Sequence, residues 1–218
     1  MEILLVRHGE SEGNAQDRMQ GHSDFPLSAR GRAQAQALGR FLGAQGIGWQ
    51  TLYASPLARA RETASIVCEA LGSAAPVHEP ELMELHAGEL EGLTFDEIGE
   101  RFPSYIARGV LDLGDFSEFG GESYGAVQAR AERLCRKLEA THRESEDRIV
   151  LVGHGGFNFQ LLKMLVCRPV PRTCIVRMGN CSATLVRLRD VRGTYMGEVL
   201  WHVPVELMGV SSLDGVRV

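Results

Sequence analysis

Ile3-Leu4-Leu5-Val6-Arg7-His8-Gly9-Glu10 is the stretch whose reading decides the fold. The apolar run from Ile3 to Val6 reads as a buried strand. It stops at Arg7-His8-Gly9-Glu10, and Ser11, Glu12, Gly13 and Asn14 follow as a polar turn. A strand ending this way sets reactive groups at the carboxyl edge of a sheet, where ligands bind in open α/β folds. Gly9 lets backbone amides approach an anion closely. Arg7 can grip an oxyanion with two donors, and His8 can serve as nucleophile, base or metal ligand near neutral pH. Taken alone, the tetrapeptide is no more than a strand end with a solvated arginine and a histidine in a turn.

The same logic returns far down the chain. Ile149-Val150-Leu151-Val152-Gly153-His154-Gly155-Gly156 is again an apolar strand running into glycine, histidine and glycine at a helix start. The N–H groups opening that helix can bind an anion. Two His-Gly strand ends in one chain turn the reading towards a shared site.

The intervening elements alternate. Ser28 caps an amphipathic helix from Ala29 to Gln45, with Ala37, Leu38, Phe41 and Leu42 on one face. A strand from Trp49 to Ala54 breaks at Ser55-Pro56, and a helix runs from about Pro56 to Gly72. Pro76 to His78 is a short strand. From Thr94 to Glu122 short helical pieces (Phe95 to Phe102, Ser104 to Gly109) alternate with glycines, as in an insertion over the sheet edge. Ser123 to His142 is a helix with Val127, Ala131, Leu134 and Leu138 in its apolar stripe. The strand Arg148 to Val152 is followed by a helix from Phe157 to Val166. Ala183 to Leu188 and Gly197 to Val203 are strands joined too briefly for a crossover, hence an antiparallel pair. The pattern implies an α/β three-layer sandwich with a mostly parallel central sheet flanked by helices. One domain over residues 1–218 is expected, with a small helical insertion over the site at about 94–122.

Composition narrows the function. The 218 residues are 44% hydrophobic, enough for a sizeable core. A net charge of −5 and a pI near 5.8 supply no basic field for nucleic acid or an acidic membrane. No apolar run approaches the ~20 residues of a membrane span. Met1-Glu2-Ile3 opens directly into a strand, with no signal peptide in view. Cys68, Cys135, Cys167, Cys174 and Cys181 are odd in number and show no Cys-x-x-Cys pair, so a reducing cytoplasmic setting is expected.

The chain resembles the histidine phosphatase superfamily, the phosphoglycerate mutase-like proteins, in four separated segments. The first is Val6 to Glu10, and the resemblance implies that His8 is phosphorylated during turnover. The second is the His154 segment, which implies that His154 donates to the phosphoryl oxygens beside Gly155. The third, Ser55-Pro56-Leu57-Ala58-Arg59-Ala60-Arg61-Glu62-Thr63-Ala64, is similar to the family's Ser-x-Leu-x-Arg-Ala-x-x-Thr-Ala and places Arg59 on the phosphate. Arg61 falls on another helix face and is read as solvated or ion-paired. The fourth, Leu82-Met83-Glu84-Leu85-His86-Ala87-Gly88, puts Glu84 at the family's acid position, with Glu81 and Glu89 as competitors. Arg7 and Asn14 match further phosphate-binding positions. His22 stands where the family often carries tryptophan, and His86 is either near the substrate or structural.

The resemblance implies a phosphomonoesterase acting on a small phosphorylated metabolite through a phosphohistidine, with no cofactor and no metal. A cofactor-dependent phosphoglycerate or sugar-phosphate mutase is the alternative, although the insertion lacks the longer basic segment of those mutases. A silent module binding phosphorylated ligands is a further alternative. A metalloenzyme built from His8, His86, His154 and Glu84 conflicts with the arginines and has no supporting spacing. Between Glu84 and Glu122 acidic side chains far outnumber Arg101 and Arg108. If that insertion covers the pocket, its field disfavours a second strongly anionic group on the ligand. Oligomeric state is not readable.

Overall fold

A computed structural model describes residues 1–46, 48–108, 114–142, 147–167, 178–191 and 194–208. Strand β1 (Glu2–Arg7) lies inside a six-stranded sheet. Ile3 and Leu5 point to one face of it and Leu4 and Val6 to the other, and all are buried. β4 (Arg148–Gly153) repeats the arrangement with Ile149 and Leu151 against Val150 and Val152. Helices α2 (Ala29–Ala44) and α3 (Ala58–Leu71) cover the Leu4 face through Leu38, Leu42, Ala60, Ala64 and Val67. Helices α6 (Tyr124–His142) and α7 (Gly155–Val166) cover the Ile3 face through Val127, Leu134, Leu138, Phe157 and Leu161. A strand covered on both faces must be apolar at every position, and this is why β1 and β4 read as continuous hydrophobic runs. The architecture is the expected three-layer sandwich.

With β2 (Thr51–Ala54), β3 (Val77–His78), β5 (Ala183–Val191) and β6 (Thr194–Val203), the sheet order is β3-β2-β4-β1-β5-β6. β3, β2, β4 and β1 run parallel, whereas β5 lies antiparallel to β1 and β6 antiparallel to β5. The register pairs Arg7 with Gly153, so His8 and His154 leave adjacent strands at the same edge.

Boundaries shift in places. β2 begins at Thr51 rather than Trp49, and α3 begins at Ala58 because Leu57 is still extended. α7 starts at Gly155, so both glycines after His154 lie in its first turn. β5 and β6 run further towards each other than their apolar cores suggested, and residues 192–193 of the joining turn lie outside the described residues. The turn after Glu10 contains a short helix, α1 (Glu12–Ala15), closed by a capping box between Ser11 and Asn14. In the insertion, α4 (Phe95–Arg101) is capped by Thr94 and Glu97, and α5 (Pro103–Ala107) follows. Tyr105, Phe116 and Phe119 are buried there and join the core under α6, with Tyr105 and Phe116 stacked at 6.0 Å. The expected end of the second helical piece at Gly109 lies outside the described residues. Cys68, Cys135 and Cys181 are buried, as small core hydrophobes should be, and Cys174 lies outside the described residues.

The loop after β1 is pressed onto the first turn of α2. A Cβ on Gly9 would stand 2.5 Å from the Gly31 carbonyl oxygen, and one on Gly31 would overlap the carbonyl oxygen of Glu10.

Candidate active site

The two strand-end histidines face each other with ring centroids 5.1 Å apart and planes tilted by 59°. Both are buried. Nδ1 of His8 lies 2.6 Å from the Gly9 carbonyl oxygen. A carbonyl only accepts, so Nδ1 carries the proton and Nε2 keeps its lone pair. Burial, then the charges of Arg7 and Arg59, hold the His8 pKa well below the usual 6.5. The ring is neutral and nucleophilic at physiological pH.

His154 Nε2 lies 2.8 Å from Ser55 Oγ. That hydroxyl accepts from the Leu57 N–H at 3.3 Å, so its own proton can go to Nε2 and leave Nδ1 as an N–H. Burial first, and then Arg59, His8 and Arg7, also press the His154 pKa well below its usual value. His154 Nδ1 and Arg7 Nε are buried without a hydrogen-bond partner among the described residues. Such a donor costs about 1–3 kcal/mol. Two at the same edge of the sheet mark a place built for an acceptor that arrives with a ligand.

Arg59 is fully buried, with Nε donating to His8 Nε2 at 3.3 Å. Its Nη1 and Nη2 donate to the carbonyls of Ser23 and Gly21, both at 2.8 Å. Burial lowers its pKa to about 10, which leaves it charged at neutral pH. Arg7 Nη1 donates to the Met178 carbonyl at 2.8 Å. Arg61 lies exposed on the other face of α3, as the helical spacing predicts.

Glu84 reaches the start of α7. Its Oε1 accepts from the N–H groups of Phe157 at 2.8 Å and Leu85 at 3.0 Å, and its Oε2 from Gly156 at 3.1 Å. A Cβ on Gly156 would sit 2.7 Å from Oε1, so the second glycine of the motif makes room for this carboxyl. The Glu84 charge acts on both Arg7 and Arg59. Of its competitors, Glu81 pairs with Arg133 through two bonds and Glu89 is exposed.

Asn14 is bound at Oδ1 by Asn180 Nδ2 at 3.1 Å, and the same Nδ2 donates to the His8 carbonyl at 3.1 Å. Gly155 lies beside Arg7, whose Nε would be 3.3 Å from a Cβ there. His22 Nε2 lies 2.8 Å from the Glu84 carbonyl oxygen, to which it donates, and its ring is 4.9 Å from that of His86. His86 is therefore beside the acid segment, with its own Nε2 3.7 Å from Glu91.

Sequence reasoning missed several supports. Thr63 Oγ1 accepts from the Gly9 N–H at 3.0 Å and donates to the Arg59 carbonyl at 2.7 Å, coupling strand end to helix. Both Thr63 and Ser55 stand in the segment that pointed to Arg59, which was the available signal. Asn180 had none. Among the described residues no three His, Cys, Asp or Glu side chains converge as a metal site, and no helix is long and apolar enough to cross a membrane.

A sequence model of the histidine phosphatase superfamily (branch 1) matches residues 3–197. The chain belongs to this family. A metal-independent phosphoserine phosphatase from Arabidopsis thaliana is 30% identical over 190 residues, which are 87% of this chain and 77% of that protein. Phosphoglycerate mutase-like protein 4 from the same plant is 33% identical over 191 residues, 87% of this chain and 80% of that one. The structure of a mycobacterial glucosyl-3-phosphoglycerate phosphatase is similar with a TM-score of 0.78 and 31% identity, covering 91% of this chain and 96% of that one. The shared fold thus accounts for the sandwich.

Proposed function

We propose that this histidine phosphatase hydrolyses the phosphomonoester of a small metabolite through a phosphohistidine on His8. The observation that carries the reading is the neutral His8 ring, with its Nδ1 proton held by Gly9 and its Nε2 lone pair beside Arg59. The phosphoryl group takes the place of the long Arg59 bond at Nε2. Arg7, Arg59, His154 Nδ1, the Asn14 amide and the Gly155 N–H neutralise its oxygens, the largest stabilisation available to phosphoryl transfer. Nε2 attacks phosphorus as the ester P–O bond breaks, and Glu84, which receives the proton of the ester's monoanion as it binds, gives that proton to the departing alkoxide. Water then attacks phosphorus, the Glu84 carboxylate takes its proton, and the P–N bond breaks to return His8 and release inorganic phosphate. The names of the two phosphatases above support hydrolysis, and the mutase-like relative keeps the mutase as a second reading. We place the enzyme in the cytoplasm, in keeping with an odd number of scattered cysteines that form no Cys-x-x-Cys pair.

The test is a quench with a radioactive phosphate ester. Acid-labile, base-stable label is expected on the wild-type protein and is absent from His8→Ala, which also loses turnover. Label retained by His8→Ala would remove the mechanism. A product phosphorylated at a new position, formed with a bisphosphate primer, would replace hydrolysis by mutase chemistry.

A further inference from the structure

The acid-bearing segment is held by a side chain that belongs to neither strand end. Arg130 lies in the apolar face of α6, between Val127, Ala131 and Leu134, with its side chain only 9% exposed. Burying a guanidinium there costs more than burying an aliphatic residue, unless all its donors are used. They are. Nη1 donates to the carbonyls of Glu81 at 2.8 Å and Met83 at 2.6 Å. Nη2 donates to the carbonyl of Glu84 at 3.3 Å and to Glu122 Oε2 at 2.7 Å, and Nε donates to Glu122 Oε1 at 3.0 Å. An arginine has five N–H donors, and each has its acceptor.

The bonds are directed at one object. Glu81, Met83 and Glu84 are the turn that carries the Glu84 carboxyl into the site. Glu122 extends the grip, because its Oε2 accepts from the His86 N–H at 3.0 Å and its own N–H donates to the His86 carbonyl at 2.8 Å. The guanidinium carbon also stands 4.1 Å over the ring of Phe157, whose N–H donates to Glu84 Oε1. Arg130 therefore touches both the backbone behind the acid and the residue that binds its carboxylate.

We propose that Arg130, locked by Glu122, is a positioning residue that sets the reach of Glu84 to the leaving-group oxygen. The inference rests on Glu84 being the general acid. A planar fork is required for the task, since a lysine ammonium cannot span three carbonyls and a bidentate carboxylate together.

Single-turnover phosphorylation separates positioning from mere folding. With 2-glycerophosphate, whose alkoxide needs a proton, R130K should slow the burst about 100-fold at an almost unchanged KM. With p-nitrophenyl phosphate, whose phenolate leaves unaided, the loss should stay under about fivefold. In a Glu84→Gln background, R130K should add less than about threefold for the alkyl ester, because residues acting as one unit are not additive. Equal losses for both esters, or full multiplication of the two effects in the double variant, would overturn the proposal. If Glu84→Gln alone fails to discriminate the esters, the acid assignment falls first and this inference with it. Should R130K not fold, E122Q provides the same comparison, since it frees the guanidinium while keeping the volume.

Discussion

The His8 ring is neutral because burial and the charges of Arg7 and Arg59 disfavour its protonated form, and this has a thermodynamic side. In the unfolded chain His8 and His154 each bind a proton near pH 6.5. In the native protein burial and the arginine charges keep both deprotonated to well below that value. Below 6.5 the unfolded state therefore holds more protons, and native stability must fall with falling pH. Each histidine contributes a slope of up to about 1.4 kcal/mol per pH unit between its unfolded pKa and its lower folded one, and none above the unfolded pKa. Replacing His8 by alanine removes one contribution. Urea unfolding at about pH 6 and about pH 5 should then show a shallower dependence in His8→Ala than in wild type, by roughly 1.4 kcal/mol per unit. Equal slopes would mean that His8 is protonated in the native site.

Among the elements, α6 has two jobs that one substitution each can separate. Its Leu134 is fully buried against the Ile3 face of the sheet. Leu134→Ala should cost about 2–5 kcal/mol through lost burial and a residual cavity, read as a lowered Tm. Because Leu134 contributes packing alone, the ratio of alkyl to aryl burst rates should stay at its wild-type value. A changed ratio would mean that the helix as a whole, and not Arg130, sets the acid. α7 divides its labour differently, with Glu84 on the N–H groups of Gly156 and Phe157 and with Gly155 left beside Arg7. The helix start thus holds the Glu84 carboxyl while its first residue lies against Arg7.

Across the whole molecule, what the sequence discloses is whatever is local. β1 and β4 announce themselves as continuous apolar runs, and their shared edge follows from the alternation of strands and helices. Arg59 and Glu84 depend on matched segments; α3 then brings Arg59 onto His8, and Glu84 reaches the start of α7. Arg130 and Asn180 escape such reading because their acceptors belong to segments remote in sequence, although an arginine inside the stripe of Val127, Ala131 and Leu134 is an anomaly that invites the question. α1 escapes because four residues carry no periodicity. The acidity of the insertion reads differently once the partners are placed. Glu122 is spent on Arg130, Glu118 on Arg108 and Glu97 on Arg18, while Asp96 and Glu100 are exposed. Among the described residues of the insertion, three carboxylates are thus already paired with arginines, and Asp112 lies outside the described residues. The contact between Gly9 and Gly31 has a consequence for how the chain tolerates change. Gly31 sits in a helix, where alanine ordinarily gains about 0.5–1 kcal/mol. Gly99, in α4 with nothing within 4 Å of a built Cβ, should gain it. In a deep mutational scan Gly31 should instead tolerate no other residue, because any side chain drives the backbone of Glu10, and His8 with it, out of line. Drift of this gene would be stopped at a position that touches no substrate.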